Sequence, residues 1–128
     1  MHDAGVCHIF VDASADPEMA TQIAVDSKIR QMEVCNGVET LLVHRDAATT
    51  AMPRILKALH EQGVELRGCA KTCEIFGDAV PASENDWAEE YLAPILSVLV
   101  VDDIDSAIEH IRRYGSNHTE VIVTRDYR

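Results

Sequence analysis

Cys35 is the residue of this chain best suited to covalent chemistry. It stands in Val34-Cys35-Asn36-Gly37-Val38-Glu39-Thr40-Leu41-Leu42-Val43-His44, a thiol at the mouth of an apolar β-type run. A cysteine placed there is held by backbone on both sides, between the end of a helix and the start of a strand. Its thiolate is a soft nucleophile that forms a thioester with an activated acyl group. That role needs a lowered pKa, supplied by N–H groups, a helix N-terminus or a cation. Lys28, Arg30 and Arg45 are the candidate cations by sequence distance. Free cysteines also act as small buried hydrophobes, so composition and spacing alone leave both roles open.

The other chemistry-bearing residues are less well placed. Cys69 and Cys73 are four residues apart, and His60 lies nine residues before Cys69. A zinc site needs about four ligands within tetrahedral reach, and the tighter CxxC pair is absent, so the pattern predicts two thiols on a small helix and no metal. The six histidines do not cluster in sequence. His8 lies on an apolar strand and reads as a core or edge histidine. Asp102, Asp103 and Asp105 read as helix capping, and the acidic stretch from Glu84 to Glu90 as a solvated face. The six glycines are scattered at 5, 37, 63, 68, 77 and 115 with no Gly-x-Gly-x-x-Gly element, which predicts no cofactor-binding residues here.

The elements that must position Cys35 follow from hydrophobic period and punctuation. Cys7 to Asp12 reads as a strand. Asp16-Pro17 starts a helix to about Gln31, with the carboxylate at N-cap, proline at N1, and Met19, Ile23, Ala24 and Ser27 on one face. Val38 to His44 is a second strand. Asp46 opens a helix that buries Met52, Ile55, Leu56 and Leu59 and stops at Gly63. Val64 to Leu66 is a short strand, Cys69 to Phe76 a small helix, and Gly77 to Glu90 a surface loop. Ile95 to Val101 is a buried strand. A helix capped by Asp103 or Asp105 then presents Ile104, Ala107, Ile108 and Ile111, and Glu120 to Thr124 is the last strand. Strands alternating with helices at this interval predict an α/β fold, a mostly parallel sheet with helices on both faces.

At 128 residues, 47% of them hydrophobic and only six aromatic, the chain reads as one compact domain over 1–128 with an aliphatic core. The formal charge of −11 opposes binding to nucleic acid phosphates or to an anionic membrane surface. Ile95 to Val101 is too short to span a bilayer. The N-terminal residues show no basic region followed by an apolar one, so cytoplasm and reduced thiols are predicted.

Several of these segments resemble the γ-glutamyl phosphate reductase family (glutamate-5-semialdehyde dehydrogenase) of the aldehyde dehydrogenase superfamily. The similar residues are Asp12-Ala13-Ser14-Ala15-Asp16 with Met19-Ala20, and Lys28 with Cys35-Asn36 and Glu39-Thr40-Leu41-Leu42-Val43. The later stretch Tyr114-Gly115-Ser116-Asn117-His118-Thr119-Glu120 with Ile122-Val123-Thr124 extends the similarity to nearly all of the chain. The resemblance implies an aldehyde dehydrogenase catalytic-domain fold. It implies a cysteine nucleophile at Cys35 that takes the acyl group of L-glutamyl 5-phosphate, and NADP(H) as the reductant of the whole enzyme in proline biosynthesis. It points to Asn36, Lys28 and His118 as the substrate and oxyanion region. It also implies that the nucleotide-binding and oligomerisation parts are absent, so that this chain alone binds no NADP(H) tightly and is inactive. Met32 replaces a proline usual in the family, and Glu33 places a carboxylate near the thiol, which raises its pKa if it faces the sulfur. The alternative reading is a folded, inactive fragment that self-associates through the apolar face left by the missing domain.

Overall fold

The computed structural model describes residues 6–30, 39–83, 86–87 and 94–123. Six strands form one sheet: β1 (Val6–Val11), β2 (Thr40–His44), β3 (Glu65–Gly68), β4 (Val80–Pro81), β5 (Ile95–Val101) and β6 (Gly115–Val123). Their spatial order is β4-β3-β5-β2-β1-β6, and every described pairing is parallel. The helices are α1 (Pro17–Val25), α2 (Ala51–Glu61), α3 (Ala70–Ile75) and α4 (Ile104–Tyr114).

Alternate strand residues feed two cores. Ile9, Val11, Leu41, Val43, Leu66, Leu96 and Val98 face one side, with Ala20 and Ala24 of α1 and Ala51, Met52, Ile55, Leu56 and Leu59 of α2. Phe10, Leu42 and Val101 face the other side, against Ala107 of α4. The chain steps outward through β1, β2, β3 and β4, then returns to insert β5 between β2 and β3. Helix α4 then crosses the second face to bring β6 beside β1. Strands buried on both faces explain the continuous apolar runs, and the α/β expectation holds.

Local rules explain most boundaries. The Asp16 carboxylate accepts the Met19 N–H at 3.0 Å, capping α1 with proline at its start. Gly63 stands at φ +87° and closes α2. Asp103, not Asp105, caps α4 by accepting the Ser106 N–H at 2.8 Å, which holds its carboxyl below the usual range.

Five expectations are corrected. Met19 is 48% exposed, and the buried stripe of the first helix is Ala20, Ala24 and Lys28, because small side chains let α1 approach α2 closely. The α-helix ends at Val25 and continues as a π-helical turn over Asp26–Arg30. Asp46 does not open α2: a 3-10 turn over Arg45–Ala47 comes first, with His44 Nδ1 accepting the Asp46 N–H at 3.0 Å. The stretch read as a surface loop contains β4, where Pro81 is tolerated on an edge strand, and it buries Asp86. In α4, Ile104 and Ile108 are exposed and Ala107 carries the packing.

Candidate active site

The candidate site residues flank the amino-terminal end of β2 in the sequence. Residues 31–38, with Cys35 and Asn36, lie outside the described residues. Glu39 follows that stretch directly and Lys28 lies three residues before it, and both are buried charges. Lys28 ends the Ala20-Ala24 stripe and is 2% exposed; Glu39, just before β2, is 3% exposed. Burial pulls the Lys28 ammonium down to about 8, while the attraction of Glu39 opposes that fall. Glu39 is tied to the sheet by its carbonyl, which accepts the Ser97 N–H at 2.9 Å. His118 falls within β6, and its side chain lies outside the described residues.

On the opposite face of the same sheet end runs a polar row. His8 pairs in register with Thr40, Thr40 with Ser97, and Ser97 with Arg67. His8, Thr40 and Ser97 are all buried, which is unusual inside a parallel sheet. Ser97 Oγ donates to the Asp86 carbonyl at 3.2 Å. Arg67 reaches Asp86 at 2.9 Å and Glu65 at 2.7 Å, and these carboxylates hold its guanidinium above its ordinary value. Above the row, the His110 ring stands 5.3 Å from His8, 5.7 Å from Trp87 and 4.7 Å from Tyr114. These aromatic groups border a groove of about 390 Å³ between α4 and β5, which Asp102, Glu109 and Arg113 also line.

Arg67, Asp86, Ser97 and Trp87 were not singled out from sequence. Their signal was faint: Ser97 interrupts an otherwise apolar strand, and Asp86 lies in a run of acidic residues that looked solvated. His8 does have the core position expected of it.

The Cys69 and Cys73 thiols are free. Burial raises the Cys69 thiol, but hydrogen bonds outweigh it and leave the group below its ordinary range. They come from the Thr72 hydroxyl at 3.4 Å, the Val100 N–H at 3.5 Å, and the backbone of Thr72 and Lys71. Among the described residues no three His, Cys, Asp or Glu side chains could share a metal ion. No described helix is long and apolar enough to cross a membrane.

The described glycines do not fit a dinucleotide. The space a Cβ would take at Gly68 is filled by Thr72 of the chain's own helix, with atoms 2.4 and 2.6 Å away, and Gly63 and Gly77 face open space.

Comparison with known proteins gives the chain's relatives. No family model matches the sequence. The γ-glutamyl phosphate reductase of Desulfatibacillum aliphaticivorans is 51% identical over 126 residues, covering 98% of this chain and 30% of that protein. The crystal structure of γ-glutamyl phosphate reductase from Thermotoga maritima superposes with a TM-score of 0.93 at 46% identity, over 98% of this chain and 30% of that one. By sequence and by shape, this chain matches a segment of γ-glutamyl phosphate reductase. The chain spans about a third of the length of the relatives it matches. The 1-pyrroline-5-carboxylate dehydrogenase from Thermus, solved with bound NAD, shares the fold at 19% identity and a TM-score of 0.67, over 96% of this chain and 32% of that one. The fold is that of the aldehyde dehydrogenases, and the homologous reductases are oxidoreductases.

Proposed function

We propose that this chain carries the acyl-accepting thiol of a cytoplasmic γ-glutamyl phosphate reductase in proline biosynthesis. Its single α/β domain over 1–128 is the catalytic part, and the nucleotide-binding and oligomerisation parts lie elsewhere in the whole enzyme. The Cys35 thiolate attacks the acyl carbon of L-glutamyl 5-phosphate. A C–S bond forms, the acyl C–O bond to phosphorus breaks, and inorganic phosphate leaves with the bonding electron pair. Asn36 and His118 border the substrate, Lys28 supports the segment from beneath, and the Cys35 N–H donates to the tetrahedral oxyanion.

NADP(H) serves the whole reductase, where it supplies hydride to reduce the thioester to L-glutamate 5-semialdehyde. The chemistry assigned to this chain stops at the thioester, and alone it reduces nothing. The observation that carries the reading is the 51% identity to a named reductase over 126 residues, 98% of this chain.

Acylation tests it. With an acyl phosphate, the chain should release one phosphate per molecule and gain the acyl mass on the peptide containing Cys35. Iodoacetamide should reach Cys35 before Cys69. The reading fails if Cys69, whose thiol the fold already acidifies, carries the label instead.

A second reading has one observation in its favour: Ile104 and Ile108 of α4 are both 43% exposed. A folded, inactive fragment would use that face to self-associate. Light scattering decides it, since a monomer at all concentrations removes this alternative.

A further inference from the structure

Strand β3 stops short of its neighbour β5, and a sulfur takes over where it ends. The last register pair is Gly68 with Val98, and the Cys69 N–H still reaches the Val98 carbonyl at 3.1 Å. The next donor along β5, the Val100 N–H, meets Cys69 Sγ at 3.5 Å. The Thr72 hydroxyl lies 3.4 Å from the same sulfur. One helical turn on, Cys73 Sγ donates to the Gly68 carbonyl at 3.6 Å. Cys69 is therefore an acceptor, which favours its thiolate, whereas Cys73 is held as a thiol by an acceptor of its own. Both cysteines are half-buried.

The Cys73 N–H donates to the Cys69 carbonyl at 3.0 Å, so the two residues are neighbours on one face of the turn. At that spacing Cβ atoms are about 5–6 Å apart, and a disulfide needs about 3.5–4.5 Å. Cys69 can make up the difference because it lies outside the helix. It is the N-cap of α3, at φ −67° and ψ 174°, with no helical dihedrals to keep. A bond closed with some strain is readily reduced, which suits a reversible disulfide. We propose that Cys69 and Cys73 are a redox pair that closes to a disulfide on meeting hydrogen peroxide, Cys69 attacking and Cys73 resolving. The Cys69 thiolate takes one peroxide oxygen and becomes a sulfenic acid, while the O–O bond breaks and hydroxide leaves to be protonated to water. Cys73 then attacks that sulfur. An S–S bond forms, the S–O bond breaks, and the Cys73 thiol proton leaves with the hydroxyl as a second water. The two thiols lose two electrons and the peroxide gains them. The pair is independent of the role given to Cys35.

Peptide mapping tests this on the whole chain. Trypsin cuts after Arg67 and Lys71 and next after Arg112, so the two thiols fall on separate peptides, 68–71 and 72–112. The protein is treated with hydrogen peroxide near neutral pH, its remaining thiols are blocked with N-ethylmaleimide, and it is digested. The two peptides should then appear joined, lighter by two hydrogens than their sum, and dithiothreitol should separate them. The yield should not change with protein concentration, as for a link within one molecule. If both peptides return unlinked, whether blocked or further oxidised, or if Cys69 is joined to Cys7 or Cys35, the proposal falls.

Variants fix the order of attack. With Cys73→Ser the reaction should stop at the sulfenic acid, so that dimedone present during oxidation labels the 68–71 peptide. With Cys69→Ser the 72–112 peptide should stay free of dimedone. Thr72→Val removes the hydroxyl beside Cys69 and should slow the linkage several-fold. Dimedone on Cys73 in place of Cys69 would reverse the two roles and overturn the proposal. The wild-type map needs no substitution, so a variant that fails to fold leaves the test standing.

Discussion

Lys28 makes the stability of this protein depend on alkaline pH in an uncommon direction. An ordinary lysine titrates near 10.5, and burial brings this one to about 8. Between those values the unfolded chain binds the lysine proton more strongly than the native one does. Stability should therefore rise with pH through that window, as the native state sheds the burden of a buried ammonium. The interval from 10.5 to about 8 corresponds to about 3 kcal/mol in full, of which about 2 kcal/mol falls between pH 8 and pH 10.

Urea unfolding at pH 8, 9 and 10 measures this on the wild type and on Lys28→Met/Glu39→Leu. Exchanging buried charged groups of opposite sign for apolar groups of similar volume is often neutral or stabilising, so the double variant is a fair background. Tyrosines, other lysines and free thiols titrate in both proteins and cancel in the difference. The wild type should gain about 2 kcal/mol on the double variant from pH 8 to pH 10. Parallel curves would mean that Lys28 reaches water in the native state, and the argument from its burial would be wrong.

Other substitutions probe the scaffold. Gly68→Ala sets a methyl against the Cβ and Cγ2 of Thr72 and should lower stability by about 2 kcal/mol in chemical denaturation, with partial recovery in Gly68→Ala/Thr72→Ala. Arg67→Met removes the guanidinium 2.9 Å from the buried Asp86 carboxylate, which also accepts the Ser83 N–H and hydroxyl at 2.7 and 3.2 Å, and should cost about 2 kcal/mol in the same assay. Leu42→Ala opens the smaller core beneath α4 and should cost about 3 kcal/mol. Thr72→Val removes the hydroxyl beside Cys69 and should slow iodoacetamide at that thiol near neutral pH, leaving Cys73 as the internal reference.

Much of the architecture was legible in the order of residues because local rules act over a few positions. Asp16-Pro17, Asp103 and Gly63 mark helix ends through groups they carry themselves, and the apolar runs of β1, β2 and β5 report burial on two faces. The paired cores on opposite sides of the sheet follow from alternation along those strands. The resemblance to γ-glutamyl phosphate reductases was also readable, since it rests on motifs such as Lys28, Glu39-Thr40 and Asp12 to Asp16 in the sequence itself.

Long-range placement belonged to the tertiary structure. Nothing local to Asp86 announces that it meets Arg67, nineteen residues away, rather than water. The stripe of the first helix is Ala20, Ala24 and Lys28 because α2 lies close against it, and a sequence window cannot see that neighbour. Nor does composition distinguish a solvated lysine from one sealed opposite Glu39. Both side chains are ionic by type, and only the packing of separate elements takes them out of water and sets the dielectric around them.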